Sequence, residues 1–399
     1  MTSTRVQRRR PPWGWIIGLG LVALVIFRIY YVVNVIKARD LAFFVGAALQ
    51  SLQLGSLYAL IALGYTMVYG IIRLINFAHG DVFMVGAFLA YYLFSRSPYG
   101  LPWALIWAAL SAWGVMFVLN LWRGSFRDPV VIGGGVVALA VLTYALSATT
   151  VNWLLAMVLS MLVTGVLGVV IDRVAYRPLR GAPRISLLIT AIAMSFFLEN
   201  TGLLVFTRNQ TPFRPPTQWT HFLQFPVLGS TVYTTRLIFL IPLVTGLLVV
   251  GLTMFVTRTR LGKAMRASAQ DPEVAQMMGV NVDRVIATTF FLGSMLAAAG
   301  GVLWGLNFGS LNQPAVMGIL PGIKAFAAAV IGGIGSLPGA VIGGVLLGFL
   351  ENFVTALFPR TQHFAGLTEY KDTFAFILLI LVLLLKPSGI VGEDLSEKV

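Results

Sequence analysis

The chain has no cysteine, and only 11% of its 399 residues are charged. The first absence excludes a disulfide framework and any thiolate metal site. The second excludes an ordinary water-soluble domain, which carries about 25% charged residues. Histidine is scarce as well, and His79, His221 and His363 are scattered, which argues against a zinc cluster. No metal site and no cofactor bound by this chain are expected. The sequence also has no G-x-x-x-x-G-K-[ST] phosphate loop, no G-x-S-x-G elbow and no H-E-x-x-H pair, so it is not expected to be an enzyme using those devices. Any energy input must reach it from a partner. Acidic residues number 14 against 28 Lys and Arg, a net charge of +14. The basic residues are spread between apolar runs rather than gathered on one soluble face. That distribution points to membrane orientation and away from nucleic acid.

What is abundant is apolar: 58% of residues are hydrophobic and the mean hydropathy is +0.88. The expected fold is an all-α integral membrane protein, a polytopic helical bundle of about 10–12 transmembrane segments, each needing about 20 apolar residues. Apolar windows place spans at 14–36, 43–64, 80–95, 102–122, 130–150, 152–171, 186–206, 237–256, 285–307, 315–333, 336–357 and 373–389. Stretches 64–79 and 315–344 read as broken or re-entrant helices. The basic N-terminus, "TRVQRRRPPWGWIIGLGLVALVIFRIYYVV", has no small-x-small cleavage site after an apolar run of full span length, so it reads as an uncleaved first helix. A cytoplasmic N-terminus makes 123–128, 172–184, 258–284 and the C-terminus cytoplasmic. It puts 17 of the 28 Lys and Arg inside and 8 outside, as the positive-inside rule requires.

Three polar side chains interrupt the apolar stretch "GIIRLINFAHGDVFMVGAF": Asn76, His79 and Asp81, with Gly80 among them. Polar groups at membrane depth face protein or water, and a helix break is tolerated only where it is packed or lines a cavity. The cluster therefore reads either as a wall of a solute route or as capping, with Asp81 closing the next helix and Asn76 satisfying carbonyls. A second Gly-interrupted segment, "GILPGIKAFAAAVIGGIGSLPGAVIGG", lies in the second half, and such a pair is a pointer to a transport site. Arg28, Arg73, Glu199, Lys324 and Glu351 fall within apolar runs, where each costs on the order of 3 kcal/mol if unpaired.

One amphipathic stretch stands on the cytoplasmic side, "TRTRLGKAMRASAQDPEVAQMMGVNVDRV". Asp271 before Pro272 reads as an N-cap, and Gly279 as the stop. Between them Val274, Met277 and Met278 share one face at i, i+3, i+4 spacing. About two helical turns are not stable alone, so that face must dock, either on lipid headgroups or on a protein groove that suits adaptable Met side chains.

These motifs carry a resemblance. "GSLYALIALGYTMVYGIIRLINFAHGDVFMVGAF", "RVAYRPLR", "RLGKAMRASAQDPEVAQMMGVNVDRVIATTF", "KAFAAAVIGGIGSLPGAVIGG" and "YKDTFAFILLILVLLLKPSGI" resemble LivH-type permeases, membrane subunits of bacterial branched-chain amino acid ABC importers. The resemblance implies an ABC importer permease fold in the inner membrane. The implied partners are a LivM-like second permease, two cytoplasmic ATPases that bind ATP and Mg, a periplasmic binding protein and a small amino acid substrate. It places the transport path at the interface of the two permeases, and the polar break with the second Gly-rich segment puts Asn76, His79, Gly80, Asp81, Lys324, Gly332, Gly333 and Gly335 along that path as expectations. ATPase coupling falls to Arg266, Asp271, Glu273, Val274, Met277, Met278 and Gly279. Related permeases carry urea or short amides, which is the alternative substrate class. A proton- or ion-coupled secondary transporter using His79 and Asp81 is a different class, and the 262–280 segment argues against it, since a stand-alone carrier needs no ATPase dock. Two departures from the family pattern divide the chain into an extra span within 1–40 and a permease domain at 41–399. The latter holds an apparent two-span insertion near 96–148 and the coupling segment 258–284.

Overall fold

A computed structural model describes residues 41–94, 153–227, 230–358, 370–386 and 388–392, with scattered positions between 20 and 31. The expected spans at 14–36, 102–122 and 130–150 and the insertion at 96–148 lie outside the continuously described residues.

The described chain is a helical bundle with seven stretches long and apolar enough to cross a membrane. Helix α1, Leu41–Ile72, is one unbroken rod of 32 residues, about 48 Å long at 1.5 Å per residue. Its most apolar window is 83% buried, as expected of a helix that is hydrophobic all round. The sequence placed a break at 64–79. The break falls inside that window, at 73–78: the helix runs on to Ile72 and stops at Arg73, whose φ of 51° ends it in the left-handed region.

Helix α2, His79–Phe94, returns from that break. Next come α3, Trp153–Ile171, continued by a π segment at Asp172–Tyr176, and α4, Arg184–Val205. Helix α5, Leu237–Arg258, is followed by the short amphipathic α6, Arg260–Gln270, and α7, Pro272–Met277. Helix α8, Val282–Phe308, crosses back beside α1, α2 and α3. Helices α9, Pro314–Gly332, and α10, Leu337–Phe349, form a hairpin, and α10 runs into a π segment at Leu350–Val354. Helix α11, Lys371–Leu385, is the last described helix. The 315–344 stretch, read as a possible re-entrant helix, is thus two successive spans joined at 333–336. Its turn uses Gly333 at φ +110° and Gly335 at φ +99°, a conformation open to glycine at little cost.

Contact between helices depends on small residues, as expected where lipid is as apolar as leucine. A Cβ on Gly55 of α1 would sit 2.7 Å from the Val345 backbone, and one on Gly344 of α10 would sit 2.5 Å from Ala59 N. Helices α4 and α5 are only 17% and 28% buried over their apolar windows, so they form the outer face. The 207–236 loop contains a hairpin pairing Phe222 with Thr235 through Val227 with Ser230, a small strand element that the apolar windows did not signal.

The loops sort into two ends. At one end Ile390 N and Val391 N donate to Ile331 O and Gly332 O, each at 2.9 Å. At the other, Thr211 pairs with Leu311 and Asn352 Nδ2 donates to Gln50 O at 3.1 Å. We call these the inner and outer ends, the inner one carrying α6 and α7.

Candidate functional site

The polar break lies at the inner end and is closed. Asn76, His79 and Asp81 are 3%, 1% and 1% exposed. Asn76 O accepts from His79 N at 3.1 Å, and Asn76 Oδ1 accepts from the Tyr176 hydroxyl at 2.6 Å. Tyr176 reaches it because the π segment inserts an extra residue at the end of α3, a local feature frequent at functional sites. The His79 ring meets Tyr65 edge-on at 4.7 Å between centroids and rests on Gly64. Asp81 was expected to cap α2. The helix starts two residues earlier, at His79, so Asp81 falls within its first turn and its carboxylate accepts from Ser195 Oγ on α4. If Asn76 to Asp81 form a wall of a solute route, the other Gly-interrupted segment, at 332–344, is the expected opposite wall, but Gly80 does not face it. It meets Gly318 and Gly322 of α9 instead, while Gly335 approaches Gly70, and Gly332 and Gly333 pack on Gly339 and Gly392. The residues expected along a path therefore lie in two separate places: Lys324 lines a cavity, and the others sit at the inner end.

That cavity, of about 760 Å³, opens toward the outer end and is lined from Gln50 down to Tyr58 along α1. Eight residues of helix make it about 12 Å deep. At its floor the Lys324 ammonium sits 2.8 Å from Glu351 Oε1 and 2.6 Å from Asp372 Oδ1. The Tyr58 hydroxyl donates to Glu351 Oε2 at 2.9 Å. Lys324 and Glu351 are buried, at 7% and 2% exposure, whereas the Asp372 side chain is half-exposed. Glu351 faces inward from the second π segment, which follows α10. Three elements far apart in sequence thus share one cation. Tyr65 and Phe77 both stand in ring contact with Phe326, two residues after Lys324 on α9.

Among the intramembrane charges, Lys324 and Glu351 pair with each other, and Arg73 is exposed at the end of α1. Glu199 is partly buried on α4, one turn beyond Ser195. Sequence reasoning missed Tyr58, Asp372, Tyr176 and Ser195 as partners. The only local signal was Asp372 standing just ahead of the last apolar run.

The inner end presents a built surface. Asp271 Oδ1 accepts from Glu273 N at 2.9 Å and Val274 N at 3.0 Å, with Pro272 in the first turn and Gly279 at φ +84° after the helix. Ala275 is buried, while Val274, Met277 and Met278 are 48%, 79% and 80% exposed. Helix α6 carries this tip. Thr259 caps α6, Met265 and Ser268 are buried, and Arg266 donates to Val256 O at 2.5 Å. Helix α6 touches α1, α5 and α8. Beside it Asp283 at the head of α8 accepts from Arg177 and Arg180, each at 2.6 Å, and Arg180 also holds Asp172 at 2.6 Å. This pins the α3–α4 connection to α8.

Comparison with known proteins gives the same picture over most of the length. The family described as branched-chain amino acid transport system, permease component, matches residues 47–132 and 125–383. The high-affinity branched-chain amino acid transport system permease protein BraD of Pseudomonas aeruginosa is 40% identical over 348 residues, which is 87% of this chain and 95% of that protein. The corresponding LivH of Escherichia coli is 38% identical over 368 residues, 91% of this chain and all of that protein. The xylose transport system permease protein XylH of Escherichia coli is 31% identical over 112 residues, 27% of this chain and 28% of that protein. No solved structure matches.

Proposed function

Since this chain belongs to the family of branched-chain amino acid transport system permease components, we propose that it is the membrane permease subunit of an ATP-driven importer for branched-chain or closely related small amino acids. Carrying this reading most directly is the likeness to two named permeases across nearly their whole length. It works in the bacterial inner membrane with a second permease, two cytoplasmic ATPases and a periplasmic binding protein, with both termini cytoplasmic.

The geometry supports a division of labour. The outer cavity receives the solute from the binding protein. The Tyr65, Phe77 and Phe326 contact blocks onward passage in this state, and the Asn76–Asp81 cluster lines the route beyond it. The tip of α7 sits in a groove on an ATPase. Because α6 joins that tip to α1, α5 and α8, closure of the ATPases is transmitted to α1 and α8, which border the cavity. ATP drives transport only by stabilising one arrangement of these helices over the other.

Expression of the complete system in a strain without its own branched-chain amino acid uptake should confer uptake of labelled leucine, isoleucine or valine. The double substitution Met277→Asp with Met278→Asp should abolish that uptake and detach the ATPases on purification, while the permease stays in the membrane. Normal co-purification of the ATPases with the double variant would rule out this docking surface. No uptake by the unaltered system would rule out the substrate class.

A further inference from the structure

We propose that Lys324, Glu351 and Asp372 form a charge-exchange gate, which opens by handing one of its ion pairs to the ammonium and carboxylate of a zwitterionic substrate. The gate rests on the reading of this chain as an amino acid permease. It adds which groups recognise the substrate inside the membrane.

The argument starts from the number of charges. Lys324 bridges Glu351 and Asp372, so α9, the π segment after α10 and the start of α11 are held together by one ammonium. Moving α9 away from α11 takes one of its two carboxylates from a buried ammonium, leaving Lys324 with Glu351 alone, and a buried ion that loses a partner is destabilised. A zwitterion carries one charge of each sign. Its ammonium replaces Lys324 on Asp372, the half-exposed carboxylate and so the first one met from outside. Its carboxylate replaces Asp372 on Lys324. Glu351 keeps the Tyr58 hydroxyl throughout. Every charge is paired before and after, so helices can separate without leaving a bare ion. A solute with one charge, or none, cannot complete the exchange, and that penalty is a source of selectivity.

Two further observations fit this chemistry. Among the described residues, Lys324, Lys371, Glu351 and Asp372 are the Lys, Arg, Asp and Glu side chains lining the cavity. Their formal charges cancel, so the cavity favours neither a cation nor an anion. An apolar wall accompanies them: Leu54, Trp304, Val316 and Leu320 also line the cavity, a surface suited to an aliphatic side chain. The gate is mechanically tied to the barrier beneath it, because Phe326 follows Lys324 by two residues on the same helix. A shift of α9 that frees Lys324 also moves that ring.

The test uses the complete complex with its binding protein in proteoliposomes. Lys324→Gln and, separately, Asp372→Asn should lower leucine uptake at least tenfold, while ATP hydrolysis stimulated by loaded binding protein stays within twofold. Asp372→Glu should keep at least half of the uptake. Should Lys324→Gln fail to fold, the half-exposed position of Asp372 leaves Asp372→Asn to decide. Uptake by Asp372→Asn within twofold of the unaltered complex would overturn the gate. So would parallel loss of uptake, stimulated hydrolysis and assembly, which marks a purely structural pair. An unaltered complex that hydrolyses ATP but takes up no branched-chain amino acid would overturn the proposed function and, with it, the gate.

Discussion

Tyr176 and Asn76 meet across the inner end, hydroxyl to amide oxygen at 2.6 Å, although they stand 100 positions apart in sequence. Both are buried, so Tyr176→Phe leaves an amide oxygen without its donor and should cost about 1–3 kcal/mol. A lowered melting temperature of the purified permease, with insertion unchanged, is the expected readout. An unchanged melting temperature would show that water replaces the hydroxyl. Asn76→Leu should cost more, because it orphans the tyrosine and overfills a packed site. The polar cluster itself was legible in the sequence, since three polar side chains in an apolar run need a reason. Its partners were not, because Tyr176 and Ser195 come from helices that only the fold brings near.

Among the elements, the capped helix at 272–277 was the most readable, because everything that defines it is local. Asp271, Pro272 and Gly279 act within a few residues of themselves, and the structure places each in the expected backbone role. The contact of α1 with α10 was hidden, since a glycine in an apolar run does not say which helix it meets. At that contact Gly344 has no room for a side chain beside Ala59. Gly344→Leu should push the helices apart and sharply reduce the yield of folded permease. Gly246→Leu is the control, since nothing lies within 4 Å of its Cβ position, and it should be tolerated. Equal yields from the two would contradict this packing. The π segments at 172–176 and 350–354 were equally hidden. Each adds one residue to a turn without any special residue type, yet they aim Tyr176 and Glu351 inward.

For the whole molecule, the absence of cysteine makes orientation directly measurable, since any introduced thiol is unique. A cysteine at Asn312, exposed beside the outer cavity, should react with a membrane-impermeant maleimide in intact cells. One at Met278 should react only after the membrane is opened. The reverse pattern would invert the proposed orientation and remove α7 from the ATPase side. Composition alone decided that the chain lives in a membrane and crosses it many times, because burying so few charges among so many apolar residues leaves no other solvent. Short-range pattern decided the capped helix at 272–277 and the position of the polar break. Tertiary structure alone decided that the break is packed shut, that Gly80 faces α9, and that Lys324, Glu351 and Asp372 share one site. Those are meetings between distant segments, and a sequence records which groups need a partner without recording which partner the fold delivers.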